Sequence, residues 1–283
     1  MNAADVNAKI AARYERPLSS SVLKVYEQQR RALDTDAIIK SGSVSERVVE
    51  EWRGRFETWF LASDRTLSGM WRHAVMSAAV PFISKGKMWQ VKFAGQKLYD
   101  KWLRERAARI GVELANVNKK VIGEVLKTRG NESWTLLRFD LKRCIGLNKP
   151  QTRAFAKQSD FIRANYPAEQ ADVLIDRLYR EKINYRAQLI ARTELINGVN
   201  DAQQLDIKAR IDNGDLPQNM TKEWVVRSGE SVNVCDICDA NAEQGPIPID
   251  EAFQSGDKQP GAHPGCHCGL QYAVGKGVVK CGK

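Results

Sequence analysis

The residue types best suited to chemistry are gathered in 34 positions, CDICDANAEQGPIPIDEAFQSGDKQPGAHPGCHC, from Cys235 to Cys268. This stretch holds four of the six cysteines and two of the three histidines. Cys235 and Cys238 form a C-x2-C pair; 24 residues later comes His263-Pro-Gly-Cys266-His-Cys268. A tetrahedral zinc ion takes four Cys or His ligands, often two from each of two tight turns. The first turn supplies two thiolates, and the second offers His263, Cys266, His267 and Cys268. The spacing points first to Cys235, Cys238, His263 and Cys266, since i and i+3 in a turn can close on one ion. Cys268 is the substitute: on an extended chain, i and i+2 point the same way but about 7 Å apart.

Other chemistries fit less well. Disulfides need an oxidising compartment, and the start MNAADVNAKIAARYERP has no apolar segment of the kind that directs export. No run reaches the ~20 apolar residues of a membrane-spanning helix. A zinc deaminase needs H-x-E, and here His263 is followed by Pro-Gly. An HNH-type nuclease needs a further catalytic histidine and ligands, a cysteine hydrolase an oriented Cys–His pair, and neither set is complete. No P-loop or G-x-G-x-x-G occurs. The expectation is a closed, structural Zn²⁺ site, no enzymatic activity and no small-molecule substrate. The alternative is a zinc-dependent nuclease or hydrolase acting on DNA. The loop between Cys238 and His263 reads as too poor in apolar residues to order itself, so the metal is expected to hold it.

Charge is unevenly spread. The chain carries a net +10, yet residues 228–268 hold seven acids against Lys258 alone. Residues 85–129 hold twelve bases and four acids, which is either a solvated helix face or a phosphate-binding surface. Its candidate DNA contacts are Lys85, Lys87, Lys92, Lys97, Lys101, Arg104, Arg106 and Arg109.

The elements that position these residues read as mainly helical. A weak helix signal covers residues 21–34. Ser43 and Glu46 have capping-box spacing, ahead of a stripe of Val48, Val49, Trp52, Phe56, Trp59 and Phe60 at helical period, read as core. Further helices are expected at residues 67–80, 87–110, 118–126 and 150–165. A longer one at 168–209 follows Pro167, with Gly198 as a candidate break. Asn213-Gly214 and Pro217 stop it. Residues 223–227 and 270–274 have strand composition and are expected to pair antiparallel. The fold class expected is mainly α, with a basic helical N-terminal region (1–115), a helical core (116–222), a zinc-bound β-hairpin module (223–274, making the whole α+β) and a flexible tail (275–283) in which Cys281 is no ligand.

The order Ala191-Arg192-Thr193-Glu194 on a helix, Trp224 on a strand, Cys235-x-x-Cys238, then His263-Pro-x-Cys266-x-Cys268 resembles the bacteriophage head-morphogenesis family, the Mu F-like minor head proteins. The resemblance covers residues 185–274; upstream it is only one of type. His267 stands where that family usually has Arg, and Ser231 and Asn233 where an acid and a base are common. The resemblance implies a minor capsid protein of the virion: a component of the phage head, present in the host cytoplasm during assembly, associated with portal and capsid proteins and with packaged double-stranded DNA bound without sequence preference. It singles out Arg192, Glu194 and Trp224 as structural residues or as braces of the ligand loop, and no extra domain is expected after Lys283.

Overall fold

The apolar stripes of the sequence fold as helices, and among the described residues only the chain past residue 219 forms strands. The computed structural model describes residues 2–79, 96–228, 234–261 and 263–275. Among them the chain is mainly helical with a small three-stranded antiparallel sheet. In order the elements are α1 (Ala3–Ala32), α2 (Thr35–Ser41), α3 (Glu46–Ala62), α4 (Asp64–Ala79), α5 (Gln96–Arg129), α6 (Trp134–Cys144), α7 (Lys149–Asn165), α8 (Ala168–Asp212), β1 (Met220–Val225), α9 (Asp236–Glu243), β2 (Ile247–Pro248) and β3 (Gly269–Val274). No helix is long and apolar enough to cross a membrane among the described residues.

The chain divides into two compact units. One comprises Pro17–Asp64 and Leu103–Leu189; the other comprises Met1–Arg16, Arg65–Trp102 and Ile190–Lys283.

In the Pro17–Leu189 unit, Trp52, Phe56, Trp59 and Phe60 of α3 are buried, as their period requires. The start of α3 differs from the capping-box expectation. Ser45 is the N-cap and makes no side-chain cap bond, while Glu46 pairs with Lys119. Helix α7 is better signalled: Asn148 and Gln151 form a reciprocal capping box with Pro150 in the first turn. The span expected as separate helices near 87–110 and 118–126 is one helix, α5, from Gln96 to Arg129; residues 87–95 lie outside those described. Helix α6 had no sequence expectation. Its C-terminal half joins a buried ion network with the end of α5 and with α7. There Arg129, 7% exposed, reaches both oxygens of Asp160 at 2.7 Å, Glu132 at 2.8 Å and Asp140 at 3.2 Å.

In the other unit, Gly198 does not interrupt α8, which runs unbroken for 45 residues. Its missing side chain is a packing requirement, because a Cβ there would stand 2.6 Å from Met70 Cε and 3.0 Å from Trp102. Past α8, β1 is the central strand, in the order β2-β1-β3. The antiparallel β1–β3 pairing follows the expectation, with Trp224 opposite Leu270 and Val225 opposite Gly269. The module is nevertheless no simple hairpin, since α9 and β2 come between the paired strands and β2 adds to the far edge of β1.

Alternation along β1 sends Met220, Lys222 and Trp224 inward. Met220 packs with Ile207 and Ile211 of α8 and with Ile249. Trp224 packs with Ile247, Phe253 and three cysteines. The loop between the cysteine clusters therefore has an apolar floor of its own in Ile247, Ile249 and Phe253, all buried. The sequence reading underrated these residues because Gly and Pro separate them.

Lys222 is wholly buried between the two clusters; its Nζ donates to the Lys258 carbonyl at 2.8 Å and lies 5.5 Å from the centre of the Phe253 ring. Burial pulls its pKa down from 10.5 to about 8. Below pH 8 both folded and unfolded chains hold the proton, and the fold bears the cost of an enclosed charge. Between about 8 and 10.5 the folded chain has released the proton while the unfolded chain keeps it, so rising pH favours folding; above that window the slope ends. Lys222 is thus expected to make the protein more stable at pH 10 than at pH 7.5 by up to about 3 kcal/mol. Urea midpoints at the two pH values measure this, and Lys222→Met should remove the difference specific to the wild type.

Candidate metal centre

The C-x2-C pair is built by a helix start. Cys235 is the N-cap of α9, and its Sγ accepts the Cys238 backbone N–H at 3.4 Å. That geometry brings both sulfurs into one donor group with His263. The second cluster hangs on a turn in which the Cys266 N–H donates to the His263 carbonyl at 3.2 Å, with Gly265 at φ 79°. Cys268 directly precedes β3.

These segments bring five donors together in two groups that share Cys238: Cys235, Cys238 and His263, and Cys238, Cys266 and Cys268. Within each group the ligand atoms lie within 4.8 Å of one another. Cys238, Cys266 and Cys268 are buried, while Cys235 and His263 are half-buried. All four thiols here are free. The sequence argument that Cys266 and Cys268 stand too far apart for one ion does not hold, because their sulfurs and that of Cys238 lie within 4.8 Å of one another.

The distances suit a metal. A tetrahedral zinc with Zn–S about 2.3 Å and Zn–N about 2.0–2.1 Å sets S···S edges of about 3.8 Å and S···N edges of about 3.6 Å. Cys238 Sγ stands 3.7 Å from Cys266 Sγ and 3.6 Å from His263 Nε2, and Cys235 Sγ is 3.1 Å from the same nitrogen. His263 Nδ1 lies 3.1 Å from the Pro264 carbonyl. An N–H at Nδ1 donating to that oxygen leaves the Nε2 lone pair facing the sulfurs, the tautomer a metal needs. Between Cys238 and Cys266 the shared hydrogen bond pulls the Cys266 thiol down and pushes Cys238 up. The two compete for one proton, and a divalent cation would replace protons on the whole set at once.

Helix α8 grips the second cluster by a row of side chains at 193, 197, 200 and 204, one face of the helix. Thr193 Oγ1 accepts the Gly265 N–H at 3.1 Å, Asn200 donates to the Cys268 carbonyl at 3.3 Å, and Gln204 donates to the Ile249 carbonyl at 3.1 Å. Asn197 lies so close to Gly261 that a Cβ there would stand 2.1 Å from its Oδ1, and Gly261 has φ 123° besides. This row was not read from the sequence. Its signal is a polar residue every turn on an otherwise core-facing helix, beside the two acid–base residues that drew notice instead.

Arg192 forms a two-pronged ion pair with Glu15 of α1, at 2.8 and 2.9 Å, and Glu194 is buried. Trp224 packs edge-on against Phe253, with ring centres 5.1 Å apart. Its buried indole N–H has no hydrogen-bond partner among the described residues. His267 stands outside both donor groups; burial, then Arg192 and Arg227, hold it in its neutral form.

Of the proposed DNA contacts, Lys85, Lys87 and Lys92 lie outside the described residues, as do Ser231, Asn233 and Cys281. Lys97, Lys101 and Arg104 follow one exposed stripe of α5 at i, i+4 and i+7. Arg106 and Arg109 fall on other sides of that helix, so the set does not form one face. No protein-family model, curated protein or solved structure matches the chain.

Proposed function

We propose that this chain is a minor head protein of a bacteriophage: a virion component whose C-terminal module is closed by a structural Zn²⁺, with basic helices that meet packaged DNA and an acidic module that meets portal or capsid proteins. The observation that carries the reading is the α8 row. The motif order from the Ala191–Glu194 helix to Cys268 marks residues that meet as one unit, since the Thr193 turn and its neighbours hold the very loop that supplies His263, Cys266 and Cys268. Cys235, Cys238, His263 and Cys266 are the proposed ligands, with Cys268 beside them. Three thiolates and one imidazole around Zn²⁺ carry −1, which adds to the seven acids of residues 228–268 and favours protein contact there over DNA. Five sulfur and nitrogen donors in two groups that share Cys238 support a closed site better than the open coordination position a hydrolase needs.

The test is composition and assembly. Purified phage heads should contain this chain at low copy number beside the portal, and deletion of its gene should leave heads defective in assembly or DNA delivery. Absence of the chain from particles, or cleavage of plasmid DNA by the zinc-loaded protein that His263→Ala abolishes, would refute the proposal.

A further inference from the structure

We infer that the first half of α1 and helix α4 together form a phosphate-binding surface for duplex DNA, distinct from the α5 residues that the sequence singles out. The inference rests on the DNA-binding part of the function proposed above.

Two basic stripes are brought side by side by one close helix contact. On α1, Lys9 and Arg13 lie one turn apart. On α4, Arg65, Gly69, Arg72 and His73 share an arc of about 100° at 3.6 residues per turn. Gly69 lets Tyr14 in: a Cβ at that position would stand 3.1 Å from the Tyr14 ring. Tyr14 Oη then reaches His73 Nδ1 at 2.6 Å, and Arg13 Nη1 stands 3.4 Å from His73 Nε2. Lys9, Arg13, Arg65, Arg72 and His73 are all exposed.

The charge there is not cancelled. Among the described residues, none of Lys9, Arg13, Arg65 and Arg72 forms an ion pair with an acid. The acids of these helices are engaged elsewhere. Asp5 accepts from Ser228 through its N–H at 3.3 Å and its hydroxyl at 2.5 Å, Glu15 is held by Arg192, and Asp64 has a partner of its own. No large apolar residue is exposed on residues 2–16 or 64–79. A protein partner or a bilayer would want apolar anchors on such a face, whereas a phosphate backbone wants only cations, arginine above all. Seven or eight residues at 1.5 Å each make the patch about 12 Å long, enough for two or three phosphates of each strand it follows.

The experiment uses the full chain, a 30-base-pair duplex of arbitrary sequence, and the salt dependence of binding. Substituting Lys9, Arg13, Arg65 and Arg72 by Gln should lower the log–log salt slope by about 3 and the affinity at about 50 mM salt by at least about tenfold. A charge-matched variant with Lys24, Lys142, Lys157 and Arg180 changed to Gln should lose much less, and equal thermal melts would show that both variants fold. Equal losses in the two variants would make net charge the cause and overturn the inference. An unchanged slope in the first variant, with wild-type binding intact, would overturn it while leaving the proposed function standing. No wild-type binding to duplex would instead remove the DNA part of that function, and this surface with it. Loss of binding to anionic phospholipid vesicles but not to duplex would assign the patch to a membrane and refute the DNA reading.

Discussion

Cys238→Ser should abolish stoichiometric zinc and melt residues 220–275 while leaving the helices folded. Cys238 is the hub of the donor cluster: it belongs to both three-residue groups, and its sulfur stands 3.7 Å from Cys266 and 3.6 Å from His263 Nε2. It is also 1% exposed in the same apolar cluster as Trp224 and Phe253. Structural zinc contributes about 10–16 kcal/mol of apparent folding energy in small zinc-bound peptides at neutral pH. Here Ile247, Ile249 and Phe253 provide part of the module's stability, so the loss should be smaller than in a peptide that is unfolded without metal. Cys268→Ser should retain zinc at one ion per chain, because it leaves the proposed ligands Cys235, Cys238, His263 and Cys266 in place. Metal analysis of the two variants, with hydrogen exchange on β1 and β3, tests both halves. Full zinc in Cys238→Ser, or unchanged exchange in chelator, would sink the structural role of the metal.

Arg129→Met should destabilise the Pro17–Leu189 unit by about 3–5 kcal/mol, the usual cost of removing one partner from a buried charge pair. Arg129 is 7% exposed and Asp140 6%, 3.2 Å apart, with Arg163 reaching Asp140 at 2.8 Å. Without the guanidinium, the Asp140 carboxylate stays buried with half its partners gone. Asp160 suffers less, being 58% exposed and free to meet water. The melting temperature should fall by about 10 °C. Arg129→Met combined with Asp140→Leu should recover much of that loss, because a well-packed apolar pair avoids the cost of enclosing charge. Urea unfolding of the single and double variants decides it: equal losses would mean that Arg129 acts through packing alone.

The legible parts of the sequence were those in which one residue type enforces one geometry. The stripe from Trp52 to Phe60 could be only a buried helix face, and the composition of Glu223–Arg227 and Leu270–Val274 pointed to a strand pair, though the first strand runs from Met220 to Val225. The donor set was equally plain, since cysteines and histidines at such spacing have few other uses. What escaped was whatever depends on a neighbour distant in sequence. Gly198 reads as a break until Met70 and Trp102 are seen against it. The sulfurs of Cys266 and Cys268 look too far apart until both are seen beside that of Cys238. Arg192 and Glu194 drew notice through the resemblance, yet Thr193 between them holds the ligand turn, and a single hydroxyl on a long helix carries no signal of its partner. Helix α6 was hidden for a related reason: its Arg and Asp residues look like surface, and only the ion network shows why they are inside.

The unit that holds the metal centre is discontinuous, and this sets an order of events during synthesis. Its opening residues bond to chain made 193 to 224 positions later: Asn2 to the Val226 carbonyl, Asp5 to Ser228, and Asn7 to Asn200 and Gln203. A growing polypeptide must therefore hold its first turns without these partners until the chain has been extended through Ser228. The other unit needs nothing beyond Leu189 and can be complete while the ribosome is still adding the thiols. The donor cluster is completed later still, with Cys268, whereas a product cut short before Asn200 would leave α1 without its distant partners, open to proteases at its leading end.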